Sequence, residues 1–209
     1  MVPMLRAEKN RNTPSWLHDY LSSRGKQTHQ TIEVIIPESI TLDAVMIHTT
    51  SGAVDIQDLT VAGEVRINTV SGRMIIGNGS FNSVVLNTAS NQIDFNNNVA
   101  RGNISVKAES GQVNIGGSTF DNLDVSTTSG QVNVVNNIFN NLDVVSVSGR
   151  GHIKLADAAD HYNIRFSAKS DQMIYNGEFV DANAMRNGNA ASNIFFTSIT
   201  GSLEVTDAE

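Results

Sequence analysis

Asp124 and Asp143 each stand five positions before a serine, Ser129 and Ser148, nineteen residues apart. Two carboxylates held about 5 to 10 Å apart are what glycosidic hydrolysis requires. No basic or aromatic cluster accompanies this pair in the sequence to cradle a sugar acid, and the competing reading is a solvated acidic face. His152 and His161, with Asp157 and Asp160, are of the residue types that bind transition metals. Such a site needs side chains that converge, which their spacing does not provide, so surface or structural roles are expected. Residues 181–189 offer oxygen ligands in Asp181, Asn183, Asn187 and Asn189. They lack the spacing and the closing glutamate of a calcium-binding loop. Gly116-Gly117-Ser118 does not continue as a solenoid calcium repeat, and no phosphate-cradling glycine loop occurs. No catalytic, cofactor or metal set emerges, and the chain is expected not to be an enzyme. Its polar residues of interest are two columns of recurring amides and acid. One is Gln92, Gln112 and Gln131; the other is Asp94, Asn114 and Asn133. They are the candidate binding face.

Those columns exist because the chain repeats. A Ser-Gly or close relative recurs at Ser51-Gly52, Ser71-Gly72, Ser90-Asn91, Ser110-Gly111, Ser129-Gly130, Ser148-Gly149, Ser170-Asp171 and Thr200-Gly201, in steps of 20, 19, 20, 19, 19, 22 and 30 residues. Apolar residues are locked to the mark. Three and five positions after it come pairs such as Val54 and Ile56, or Val113 and Ile115; six and four before it come Val65 and Ile67, or Leu123 and Val125. This alternation is the period of a strand with one buried face. About ten positions after the mark lie Val61, Phe81, Val99, Phe120 and Phe139. Asn, Gly, Asp and Ser between these columns are turn residues.

A fixed period with repeated column chemistry predicts a single-stranded parallel β-solenoid of about eight coils, because each residue then stacks on its equivalent one coil away. The general chirality of parallel crossovers predicts a right-handed coil. Phe81, Phe120 and Phe139 are expected to stack inside. The solenoid is expected over 31–209, with residues 31–37 (TIEVIIP) as its first strand and a loop insertion at about 178–193. Residues 1–30 lack the repeat, and residues 13–21 within them read as a short capped helix.

The formal charge is −7, divided into +3 over residues 1–30 and −10 over the remainder. An acidic body repels polyphosphate, so nucleic-acid binding is not expected. Cysteine is absent, which excludes disulfides and thiolate metal sites. No apolar run is long enough to span a membrane, and Met1 begins no secretory signal. The basic first thirty residues suit a weak contact with anionic lipid or with a partner protein.

The coil signature Thr-x-Ser-Gly-x-Val-x-Ile, seen at Thr49-Thr50-Ser51-Gly52-Ala53-Val54-Asp55-Ile56 and as Thr127-Thr128-Ser129-Gly130-Gln131-Val132-Asn133-Val134, resembles that of a bacterial family of β-strand repeat domains described as adhesins (domain of unknown function 4097). The resemblance covers residues 31–206 and carries no catalytic residues over. It implies a non-catalytic binding module of the cell envelope that meets a protein or glycan surface without a cofactor. Two alternatives stand beside it: an intracellular or membrane-associated scaffold in envelope-stress signalling, and a polysaccharide-acting β-helix enzyme. The oligomeric state is left open.

Overall fold

The computed structural model describes residues 4–6, 32–168, 173–181, 185–186 and 190–208. The strands among them are β1 (Met4–Arg6), β2 (Val45–Thr49), β3 (Val54–Gln57), β4 (Thr60–Thr69), β5 (Met74–Gly77), β6 (Ser80–Ser90), β7 (Ile93–Asn96), β8 (Val99–Ser110), β9 (Gln112–Gly116), β10 (Thr119–Thr127), β11 (Gln131–Ser146), β12 (Arg150–Leu155), β13 (Tyr162–Ala168), β14 (Met173–Tyr175), β15 (Glu178–Val180), β16 (Met185–Arg186), β17 (Ser192–Ser198) and β18 (Ser202–Thr206). From β2 to β14 they alternate between two parallel sheets. Sheet A stacks β2, β4, β6, β8, β10 and the second half of β11. Sheet B stacks β3, β5, β7, β9, the first half of β11, and β12. One strand of each sheet makes a coil, and equivalent residues lie side by side: Val65 beside Val84, Val84 beside Ile104, Ile104 beside Leu123. The parallel β-solenoid expected from the period is the fold.

Six coils, rather than about eight, climb in chain order. The last two exchange places. β17 lies between β11 and β13, and β18 lies between β12 and β14. The cause is local. Asn176 and Gly177 adopt φ of 48° and 82°, the pair of left-handed residues that a two-residue hairpin needs. The chain therefore turns straight back as β15, antiparallel to β14, and β16 then runs antiparallel to β13. With those outer edges covered, the final coil can pair only on the inner side. The stretch 178–193 thus holds two capping strands and the start of β17, where a loop was expected. At the other end β1 lies antiparallel on β2, so a three-residue piece of the non-repeat segment joins the stack. Antiparallel covers of this kind keep parallel edges from templating aggregation. Residues 32–37 form no strand, which corrects the reading of TIEVIIP; their outward-facing Ile35 is exposed. The helix expected at 13–21 lies outside the described residues.

The interior is one continuous apolar column set, with Ile67, Leu86, Ile104 and Leu123 fully buried. The phenylalanine stack is shorter than expected. Phe120 and Phe139 stack with ring centroids 5.7 Å apart, but Phe81 meets Phe95 at 6.2 Å instead. Ala100 lies between Phe81 and Phe120 in the register. Val99, assigned to that column by the sequence, faces outward and is 47% exposed. The inward position falls ten residues after each of the first five marks, and position 99 is one short.

The Ser-Gly mark has two functions. Serine hydroxyls donate to carbonyls of the coil below, Ser71 to Thr50 at 3.1 Å and Ser148 to Thr128 at 3.3 Å. Glycine is required by close approach: a Cβ at Gly149 would run into the carbonyl oxygen of Gly130, and one at Gly201 into that of Gly149. Left-handed backbone recurs seven residues after the mark, at Asp58, Asn78, Asn97, Gly117 and Asn136, and at the mark itself only in Asn91 (φ 112°) among the described residues. Gly149→Ala should therefore cost about 1–3 kcal/mol, as an overpacked interior site does. A lowered urea midpoint with unchanged slope is the expected result, and an unchanged midpoint would contradict the stacking geometry.

Candidate functional site

The candidate face lies outward on sheet B as a hydrogen-bonded ladder. Along each strand Gln92 Nε2 donates to Asp94 Oδ1 at 2.7 Å, Gln112 Nε2 to Asn114 Oδ1 at 3.0 Å, and Gln131 Nε2 to Asn133 Oδ1 at 3.0 Å. Between coils Asn114 Nδ2 donates to Asp94 Oδ1 and Asn133 Nδ2 to Asn114 Oδ1, both at 2.7 Å. Arg73 closes the lower end, its Nε and Nη2 donating to Asp94 Oδ2 at 3.0 and 2.6 Å. Burial alone would raise the Asp94 carboxyl. The bonds from Gln92, Asn114 and Arg73, with the guanidinium charge, outweigh it and hold Asp94 below the ordinary carboxylate value. The structure brings all six candidate residues together, and it spends much of their hydrogen-bonding capacity on one another.

A second ladder escaped the sequence reading. Asn122 donates to Asn103, Asn141 to Asn122, Asn193 to Asn141 and Asn163 to Asn193, at 2.7–2.9 Å. The signal was present: each asparagine stands seven positions before a mark. The order of this ladder, with Asn193 between Asn141 and Asn163, follows the exchanged coils. A third column is internal. Asn98, Ser118 and Asn137 are buried at a corner, where Asn98 accepts the Gly79 N–H and Asn137 accepts the Ser118 N–H.

Asp124 and Asp143 are register neighbours on the exposed outer face of sheet A. Desolvation, then the charge of Asp124, pushes the Asp143 carboxyl above its ordinary value. An aromatic side chain that the sequence could not place stands beside it: Phe195, in register with Asp143, and beyond it Arg165. His161 approaches Asp157 and Asp160 only at 3.9 Å, all three exposed. His152 projects from β12 between Asn133 and Glu204. Among the described residues no three metal-ligating side chains cluster. Most of the oxygen-rich run 181–189 lies outside the described residues.

Sheet A carries the remaining surface of note. A shallow groove crosses five coils, floored by Thr69, Thr88, Ala108 and Thr127 and walled by outward columns that include Asn68, Asn87, Lys107 and Glu109. Farther along the same columns, the polar residues give way to Val145 (45% exposed) and Val147 (42%), with Ile199 beside Val147, and Phe195 (39%) stands in the next outward column. Asp124, Asp143, Ser126, Thr128 and Thr197 surround them with polar and acidic groups. This patch joins residues of coils 6 and 8, which sequence distance separates and the coil exchange makes adjacent.

Fold and surface together define a single-stranded parallel β-solenoid repeat protein with self-satisfied amide ladders. The chain belongs to the Toastrack family, DUF4097, whose model matches residues 9–192. No curated protein and no solved structure matches it.

Asp94 has a depressed carboxyl in the folded state, so its stabilising contribution is complete above the unfolded value of 3.8 and is lost as pH falls through the folded one. Asp94→Asn should lower stability by about 1–2 kcal/mol at pH 7, and the gap to wild type should narrow progressively as pH falls below about 4. Asp143, raised instead, should behave oppositely: Asp143→Asn gains stability at pH 7 and loses that gain in acid. Urea denaturation of the three proteins at pH 7 and pH 3 checks both signs.

Proposed function

We propose that the chain is a non-catalytic interaction module of the bacterial cell envelope that docks a partner protein through the outer face of sheet A. The observation that carries this reading is the apolar patch of Val145, Val147 and Phe195 ringed by polar and acidic groups. An apolar centre with a polar rim is the composition of protein–protein interfaces. A rigid solenoid presents such a patch without the ordering cost that a mobile surface carries on binding. The family resemblance supports the envelope placement. Among the described residues no helix is long and apolar enough to cross a membrane, which fits a module attached through other contacts.

The amide face is the weaker candidate. A ligand there must compete with hydrogen bonds the ladder already makes. The contact of residues 1–30 with anionic lipid concerns residues that are mostly outside those described. One observation favours the enzyme reading: Asp143, with its raised carboxyl, has Asp124 on one side and Phe195 on the other. Against it, the pair stands on an exposed sheet face and does not line the groove, so nothing there excludes water or surrounds a sugar.

Val145→Lys with Phe195→Lys should leave the melting temperature within a few degrees and reduce binding to an immobilised bacterial envelope fraction at least tenfold. Gln112→Lys with Gln131→Lys should bind as wild type does. The reverse pattern would move the site to the amide ladder, and glycan depolymerisation abolished by Asp143→Asn would replace the reading with a hydrolase.

A further inference from the structure

The exchanged coil sits in a slot with walls on both sides. β17 is hydrogen-bonded to β11 and β13, and β18 to β12 and β14. The walls come from the chain preceding it: residues 156–161 carry the backbone from β12 past one empty level to β13. What fills that level is specific. Ile194, Phe196, Leu203 and Val205 are buried. Gly151 stands where other coils carry Val, Ile, Met or Leu, and a Cβ there would run into the Phe196 ring. Asn193 joins Asn141 to Asn163, and Ser192 Oγ donates to the Phe139 carbonyl at 2.9 Å. Beyond β18, Asp207 accepts from Tyr175 and Asn176.

We infer that β17–β18 is an exchangeable coil, and that its slot is a strand-acceptor site which a second copy of this chain fills to give a coil-swapped homodimer. Three observations point to a second copy. First, the identical coil brings the same Phe196, Asn193 and Leu203 to the same positions, so each contact just described is reproduced between chains. Second, β15 and β16 cover the outer edges of β14 and β13, so withdrawing the coil leaves parallel edges unpaired only in the slot. A reciprocal swap pairs them all and closes on a two-fold axis, where a one-way donation would not. Third, with β16 kept on β13, the segment between β16 and β17 is Asn-Gly-Asn-Ala-Ala. Five residues reach up to about 17 Å when extended, and a hinge this short favours entry of the coil into a molecule seated alongside over long-range reach. A linker of that length gives an intramolecular effective concentration in the millimolar range. The monomer therefore dominates in dilute solution, and exchange belongs to crowded surfaces and to refolding at high concentration.

The absence of cysteine makes the test clean. Full-length Arg150→Cys and full-length Ser202→Cys, register neighbours across the slot, are unfolded, mixed at about 1 mM, refolded and mildly oxidised. Gln112→Cys and Gln131→Cys, neighbours in coils that follow one another in sequence, form the control. All four side chains face outward, away from the Val145 and Phe195 patch, so loss of partner docking is scored separately. The expected result is a disulfide-linked heterodimer at least tenfold more abundant for the slot pair than for the control, with the unmodified chain giving dimer after refolding at about 1 mM and monomer at micromolar concentration. Equal yields from the two pairs, or monomer alone at both concentrations, would overturn the inference.

Discussion

Parallel stacking at one coil per strand spacing is the constraint on which this molecule depends. Each residue must tolerate its own equivalent about 4.8 Å above and below. Inward columns can therefore be only apolar or, at corners, self-complementary, and Ile67, Leu86 and Val106 satisfy this in successive coils. Outward columns must not set like charges together without relief. Asn and Gln meet that demand best, since an amide donates to one neighbour and accepts from the other. The ladders on both sheets are the same solution reached twice. Asp124 beside Asp143 is the exception, and its strain shows in the raised Asp143 carboxyl. Gly149 follows from the same spacing, because the bends of neighbouring coils nest too closely for a Cβ there, and Asn91 carries a side chain at the equivalent bend with φ of 112°.

A stack has ends, and the ends decide the unusual part of the topology. Asn176-Gly177 turns the chain back upon β14 before the last coil has been made. That places the cap ahead of the coil in sequence, so the coil must enter beneath its own cap. The consequence reaches the surface: Phe195 comes to lie against Asp143 and near Val145, building the patch from residues some fifty positions apart. The apolar patch and the exchanged coil thus share one origin in a two-residue turn, although each stands on separate contacts.

Much of this was legible in the sequence, because in a solenoid the long-range contact lies at a fixed offset. The coil period, the inward alternation and the six candidate residues from Gln92 to Asn133 all follow from counting along the chain. Counting fails where the offset changes. Val99 was placed inside because its column was read as about ten residues from the mark, and an error of one turns a strand residue to the opposite face. The coil exchange was hidden by treating the step of 30 before Thr200 as a loop, although Asn176-Gly177 is a strong hairpin signal. The asparagine ladder ending at Asn163 required no more than one further column. The Phe195 neighbourhood was beyond reach, since no offset predicts it until the coil order is known. The first strand was misplaced because TIEVIIP has strand composition but no mark to align it.

The central claim is the coil order, and disulfide closure in single chains tests it most directly. Neighbouring parallel strands stand about 4.8 Å apart and next-nearest ones about 9.6 Å, and disulfides do not form beyond about 7 Å between Cα atoms. His152 is in register with Glu204, and Glu204 with Ile174. In dilute solution His152→Cys with Glu204→Cys should close within one chain under mild oxidation, while His152→Cys with Ile174→Cys should stay reduced. Closure of the second pair and not the first would place the coils in chain order and contradict the account.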